Sequence, residues 1–238
     1  MSVIRFIFIC VLSLPLANCF AQLQDTAFLM TAKNKAIALY TKSIKDQSRL
    51  YNGSDYVIYM SVDEEHPYYK IDDWENGSVT YWGERYDSIP LLYDLHKDQL
   101  VTEHNRGNAL SLVQEKVQAF TLLDHTFVRL YNDGKNLIQE GYYDLLHDGQ
   151  TKVYAKRSKT YGEDLETRMV VPRFDEHTRY FIVRAGIFHQ VKSKAGTLKI
   201  FADRKQDIKS FIRKNNIRFQ ENKEEALKRV TEYYNTLN

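Results

Sequence analysis

The chain of 238 residues carries 33 Lys and Arg against 31 Asp and Glu, a formal net charge of +2, so no global field recruits nucleic acid or a membrane. Seventeen tyrosines and twelve phenylalanines beside only ten glycines and four prolines favour ordered, tyrosine-lined strands and argue against a low-complexity chain. Both cysteines, Cys10 and Cys19, fall within the first 21 residues.

Residues 1–21 read as a cleaved secretory signal peptide. Arg5 supplies the n-region charge, Phe6 to Leu14 form an apolar run too short to span a bilayer, and Pro15 breaks it. Cys19-Phe20-Ala21 then places small residues where a signal peptidase inspects them, so the mature chain is expected to begin at Gln22. Leu16-Ala17-Asn18-Cys19 is a poor lipobox, because Asn18 stands where a small residue is wanted. Cleavage leaves 217 residues without cysteine, which excludes disulfides, zinc–thiolate sites and cysteine nucleophiles. The expected location is the bacterial periplasm or cell surface, and no later apolar run approaches membrane-spanning length.

From Asp25 to Ser48 the pattern is helical, with Phe28, Ala32, Ile37, Leu39, Tyr40 and Ile44 recurring mostly at three- and four-residue spacing between lysines. Tyr56 to Met60 reads as a short strand, and the passage from His66 to Trp74 as loop; Asn52-Gly53 and Asn76-Gly77-Ser78 read as turns. From Ser78 to Val191 strands alternate with tight turns: Gly83-Glu84, Lys97-Asp98, Asn132-Asp133-Gly134, Asp148-Gly149 and Ala185-Gly186. Such short turns make neighbours antiparallel. Past Thr197 the period is helical again, with Asp203/Gln206 and Asn222/Glu225 spaced as capping boxes. The fold expected is α+β: after the signal peptide, one domain over 22–238, with an N-terminal helix (22–50), a curved antiparallel β-meander (51–192) and a C-terminal helical segment (195–238).

The chain resembles a group of uncharacterised exported proteins of Bacteroidota. The matching text is Tyr51-Asn52-Gly53, Asn76-Gly77-Ser78 with Tyr81, Pro90 to Leu95, Gly141-Tyr142-Tyr143, the basic helix from Asp203 to Asn215, and Glu224 to Leu227 with Tyr233-Tyr234. The resemblance implies an envelope location and brings no activity.

Candidate sites are few. Asp63-Glu64-Glu65-His66 gathers potential ligands but lacks the glycine and alternate spacing of a calcium loop. His96 and His104 lie about 20 Å apart along one predicted hairpin, and no histidine pair has zinc-ligand spacing, so neither metal nor cofactor is expected. No serine sits on a glycine-flanked elbow, and there is no phosphate-binding loop. Trp74, Tyr81, Trp82 and Tyr86 gather aromatic faces near one hairpin, as a sugar-stacking platform does. Between Lys192 and Arg218 nine basic residues face only Asp203 and Asp207, and Lys205, Lys209 and Arg213 form one helical stripe beside Ile208 and Ile212. The reading that follows is a non-catalytic envelope accessory or binding scaffold, its partner an envelope protein or anionic envelope surface. The alternatives are a glycan-acting hydrolase, which needs two opposed carboxylates in an aromatic cleft, and a carrier, which needs an apolar cavity.

Overall fold

The computed structural model describes residues 29–33, 35–36, 49–59, 64–104, 107–132, 134, 137–164 and 171–237. Residues 1–45 and 46–238 form two compact units. In the first, residues 29–33 and 35–36 are helical; the expected signal peptide and the rest of the expected helix over 25–48 lie outside the described residues.

The second unit is built on one antiparallel sheet of eleven strands: β1 (Ser54–Asp55), β2 (Glu75–Tyr81), β3 (Glu84–Asp94), β4 (Gln99–Glu103), β5 (Ala109–Ser111), β6 (Val117–Leu122), β7 (His125–Leu130), β8 (Gly141–His147), β9 (Lys152–Asp164), β10 (Val171–Arg184) and β11 (Ile187–Val191). Their order is β1-β5-β4-β3-β2-β6-β7-β8-β9-β10-β11. The expected meander is thus two meanders sharing β2. The chain runs outward from β2 to β5, returns through Leu112–Lys116, and lays β6 against the other side of β2.

Two turns differ from the sequence reading. Asn76-Gly77-Ser78 lies inside β2, where the register shifts at Gly77/Ser78. A Cβ on Gly77 would stand 2.1 Å from the Thr121 carbonyl oxygen, so this glycine is there for close strand approach. The β2–β3 turn is Trp82-Gly83, one residue earlier than expected, with φ of 53° and 81°; a primed two-residue turn needs positive φ at both positions. Tyr56 to Tyr59, expected as a strand, lies in none of the named strands, and Met60 lies outside the described residues. Tyr68, in the expected loop, makes an isolated bridge to Asp94.

Register carries one row of side chains across eight strands on one face: Tyr86, Val79, Phe120, Phe127, Asp144, Ala155, Tyr180 and Val191. Its first half is an aromatic core. Tyr93 meets Phe120, Phe127 and Tyr142 edge-on at 5.0–5.9 Å, and Tyr69 meets Phe127 at 5.1 Å, the geometry ring quadrupoles favour. The sheet is open, with β1 and β11 at its edges, yet it rolls far enough for the β3–β4 turn to reach β9. Lys159 N–H donates to the Leu95 carbonyl, and Lys156 Nζ lies 2.6 Å from Asp98 Oδ2.

The second half of the row is covered by helices α1 (Lys194–Ile200), α2 (Lys205–Lys214) and α3 (Lys223–Thr236). Phe201, Ile208, Ile212, Leu227, Val230 and Tyr234 pack on Val153, Ile182 and Val191. Helices of this length are marginal alone, so the sheet face is what holds them. Asn222 caps α3 as its spacing predicts, accepting from Glu225 N–H at 2.9 Å. Asp203 does not cap α2. It accepts from Arg184 at 2.9 Å and Tyr234 at 3.0 Å, and Ser193 caps α1 instead. No helix among the described residues is long and apolar enough to cross a membrane.

Candidate functional site

The seam between the aromatic core and the helix-covered core is charged. Asp144 of β8, almost fully buried, accepts from Arg157 Nε at 2.9 Å and Nη2 at 2.5 Å, and lies 2.8 Å from His125 Nδ1. The same Arg157 Nη2 donates to Glu224 Oε2 at 2.8 Å, at the N-terminus of α3. Lys70 Nζ stands 3.0 Å from His125 Nε2. An ammonium has only donors, so Nε2 accepts and Nδ1 carries the proton offered to Asp144. The Arg157 guanidinium also lies 5.5 Å from the Tyr69 ring centre. Burial lifts the Tyr69 phenol above the ordinary tyrosine range although Arg157 opposes it, and the buried Tyr69 hydroxyl has no hydrogen-bond partner among the described residues.

His125, Asp144 and Glu224 hold their ligand atoms within 4.8 Å of one another, a donor set that suits a divalent ion. Arg157 already bridges the two carboxylates, so a cation would have to displace a buried guanidinium to enter. The cluster is an ionic latch tying β8, β9 and α3 together. It opens onto a polar recess of about 720 Å³ whose rim includes Tyr180, Lys223 and Lys228.

Two further polar networks lie on the sheet, one at Tyr93 of the aromatic core and one at Tyr56 of the neighbouring Tyr56–Tyr68 cluster. Asp98 receives Tyr93 Oη at 2.5 Å and Lys156 at 2.6 Å. Gly141, at φ 148°, leaves that carboxylate the space a Cβ would take, 2.1 Å away. Asp94 receives Tyr56 Oη at 2.7 Å and the His96 and Lys97 N–H groups at 2.8 and 2.9 Å. Each carboxylate is matched by the donors around it, as buried acids must be.

The expected aromatic platform is dispersed. Tyr81 and Tyr86 are buried in the aromatic core, because alternation along β2 and β3 turns them inward. Trp74 packs with Tyr56 and Tyr68 in a different cluster. Trp82 alone is exposed, held at the hairpin tip with Lys116 Nζ 3.9 Å from its ring centre. Of the Asp63–His66 cluster, Asp63 lies outside the described residues; Glu65 accepts from Phe174 N–H, and His66 Nδ1 accepts from Tyr68 N–H.

The residues of the expected basic stripe share one helix. Lys205, Lys209 and Arg213 are exposed on α2 while Ile208 and Ile212 are buried beneath them. Lys209 and Arg213 join Lys194 of α1 around a recess of about 550 Å³, and no carboxylate lines it among the described residues.

Sequence reading missed the latch because His125, Asp144, Arg157 and Glu224 belong to four separate elements; only the Asn222 cap, which places Glu224 in a first helical turn, was visible locally. No family model matches the chain, and no curated protein or solved structure is significantly similar to it.

Proposed function

We propose that this protein is an exported, non-catalytic binding scaffold of the bacterial envelope, of the kind its resemblance to exported Bacteroidota proteins implies, and that it engages an acidic partner protein through its helical face. The observation that carries this reading is the cationic recess of Lys194, Lys209 and Arg213, which no carboxylate lines among the described residues, with Lys205 exposed on the same helix and Ile208 and Ile212 buried beneath. An exposed single-sign patch steers an oppositely charged partner at moderate ionic strength. The interior supports the same reading. Asp144 and Glu224, which a hydrolase would need free, share Arg157. The space under the rolled sheet, which a carrier would leave for its ligand, is filled by Tyr69, Tyr93, Phe120, Phe127 and Tyr142.

The test is site-specific photo-crosslinking in the source cell, with the crosslinker replacing Lys209. The expected product is one discrete protein adduct on a chain whose intact mass begins at Gln22. It should be lost in the K205E/R213E background and weakened by raising salt from about 0.1 M to 1 M, where the screening length drops to about 3 Å. A cytoplasmic chain with residues 1–21 retained, or an adduct indifferent to charge reversal and salt, would refute the reading.

A further inference from the structure

Among the described residues the last strand of the sheet is an open edge. Ala185 and Gly186, at φ 50° and 74°, form a two-residue turn that makes Arg184 and Ile187 a directly opposed pair. In such a hairpin the pair flanking the turn exchanges both ladder bonds, and pairs then alternate. Ile187, His189 and Val191 therefore spend their backbone groups on β10, while the N–H and C=O of Phe188 and Gln190 point outward. No described residue bonds them. Exposed edges are normally shielded by a charge, a proline or a covering segment. The β11 sequence Ile-Phe-His-Gln-Val has no Lys, Arg, Asp, Glu or Pro.

Beside this edge runs a groove of about 810 Å³, mostly apolar in lining, between β11 and α1. Leu137, Ile187, Phe188 and Ile200 line it, and Gly196 forms its helical wall, where an added Cβ would meet only Ser193 Oγ at 3.7 Å. An edge strand facing a helix across an apolar groove is the geometry in which an extended peptide adds as one more strand: backbone bonds hold it and alternate side chains fill the groove. Five residues of strand offer about 17 Å of pairing length.

We infer that β11 and its groove capture an extended acidic peptide segment of a partner by strand addition. The charge of the occupant follows from Lys199, which lines the groove, and from Lys192 and Lys194, which follow β11 directly in the chain; none of the three is in an ion pair among the described residues. A second copy of β11 offers no such charge, since the strand has no carboxylate and Lys192 and Lys194 follow it directly. The inference rests on the scaffold reading and names the form its partner takes at the site of contact.

Selection of a displayed library of random dodecapeptides on the full chain, followed by fluorescence anisotropy of the enriched peptides, tests it. Enriched peptides should carry net negative charge and apolar residues at alternate positions. Gln190→Pro removes one outward N–H but no ladder bond to β10, a place where an edge strand tolerates proline. Gly196→Phe fills the groove from a position with room for it. Each should weaken binding at least tenfold with thermal unfolding unchanged. Three results would overturn the inference: no enrichment, enriched peptides that bind Q190P as tightly as the unmodified chain, or a Q190P-sensitive dimer in solution. Peptides that ignore Q190P but lose binding in K205E/K209E/R213E would sink strand addition and leave the scaffold reading standing. Peptides indifferent to all these substitutions would remove both.

Discussion

Replacing Arg157 by Met is the sharpest probe of what holds the helices to the sheet. The side chain keeps its apolar stem but loses the guanidinium that bridges Asp144 and Glu224. Asp144, at 1% side-chain exposure, then has His125 as its one remaining side-chain partner in the latch, and Glu224 retains only Tyr180 Oη at 3.5 Å. Breaking a buried ion pair from one side costs about 3–5 kcal/mol, because the orphaned charge stays out of water. That is a large share of a whole domain's stability of roughly 5–15 kcal/mol. With a urea m-value of about 3 kcal/mol/M, the upper end for small proteins, the midpoint should fall by more than about 1 M. The D144N/R157M double variant leaves no buried charge behind and should recover at least about half of the loss, a coupling that a double-mutant cycle isolates. A single R157M cost below about 1 kcal/mol, or a double variant as unstable as the sum of the singles, would refute the latch.

The alkaline side carries a second prediction. Burial pushes the Tyr69, Tyr93 and Tyr142 phenols above the ordinary tyrosine range. The folded state therefore keeps protons that the unfolded chain releases near pH 10, so stability is full below about pH 10 and falls as pH rises beyond it. The buried tyrosines should contribute to the phenolate band in one step, together with unfolding, after exposed ones such as Tyr131 have ionised; their gradual ionisation in a folded chain would contradict the burial. Deleting residues 203–238 removes Ile208, Ile212, Leu227, Val230 and Tyr234 from the face of Val153, Ile182 and Val191. At about 1.5–3 kcal/mol per buried side chain, the product should be insoluble or molten, and a cooperative thermal transition in it would show that the helices are an appendage. Gly77→Ala should destabilise by about 1–3 kcal/mol through overpacking against the Thr121 carbonyl; an unchanged urea midpoint would show that β6 can yield. Chelator or zinc should leave the thermal midpoint in place, since Arg157 holds the position between Asp144 and Glu224. A shift beyond about 2–4 °C, the equivalent of ~1 kcal/mol for a chain of this size, would mean an ion displaces it.

Local chemistry determined much of the secondary structure. The hairpins at Asp98, Gly149 and Gly186, the cap at Asn222 and the buried stripes of α2 and α3 are short-range features, decided by backbone angles, one side-chain bond or helical period. The exposed Lys205, Lys209 and Arg213 were legible for the same reason, because a helix with Ile208 and Ile212 facing in must turn those cations out. What tertiary structure alone decided was pairing between distant segments. Nothing near Val117 states that β6 will lie against β2 rather than beyond β5; that choice is made by burying Phe120 against Phe127 and Tyr93. The same long-range register turned Tyr81 and Tyr86 into core residues and left Trp82 outside. It also brought His125, Asp144, Arg157 and Glu224 from four elements into one buried cluster. β11 became an edge only because the sheet rolls without closing, so the outward groups of Phe188 and Gln190 face a groove walled by α1.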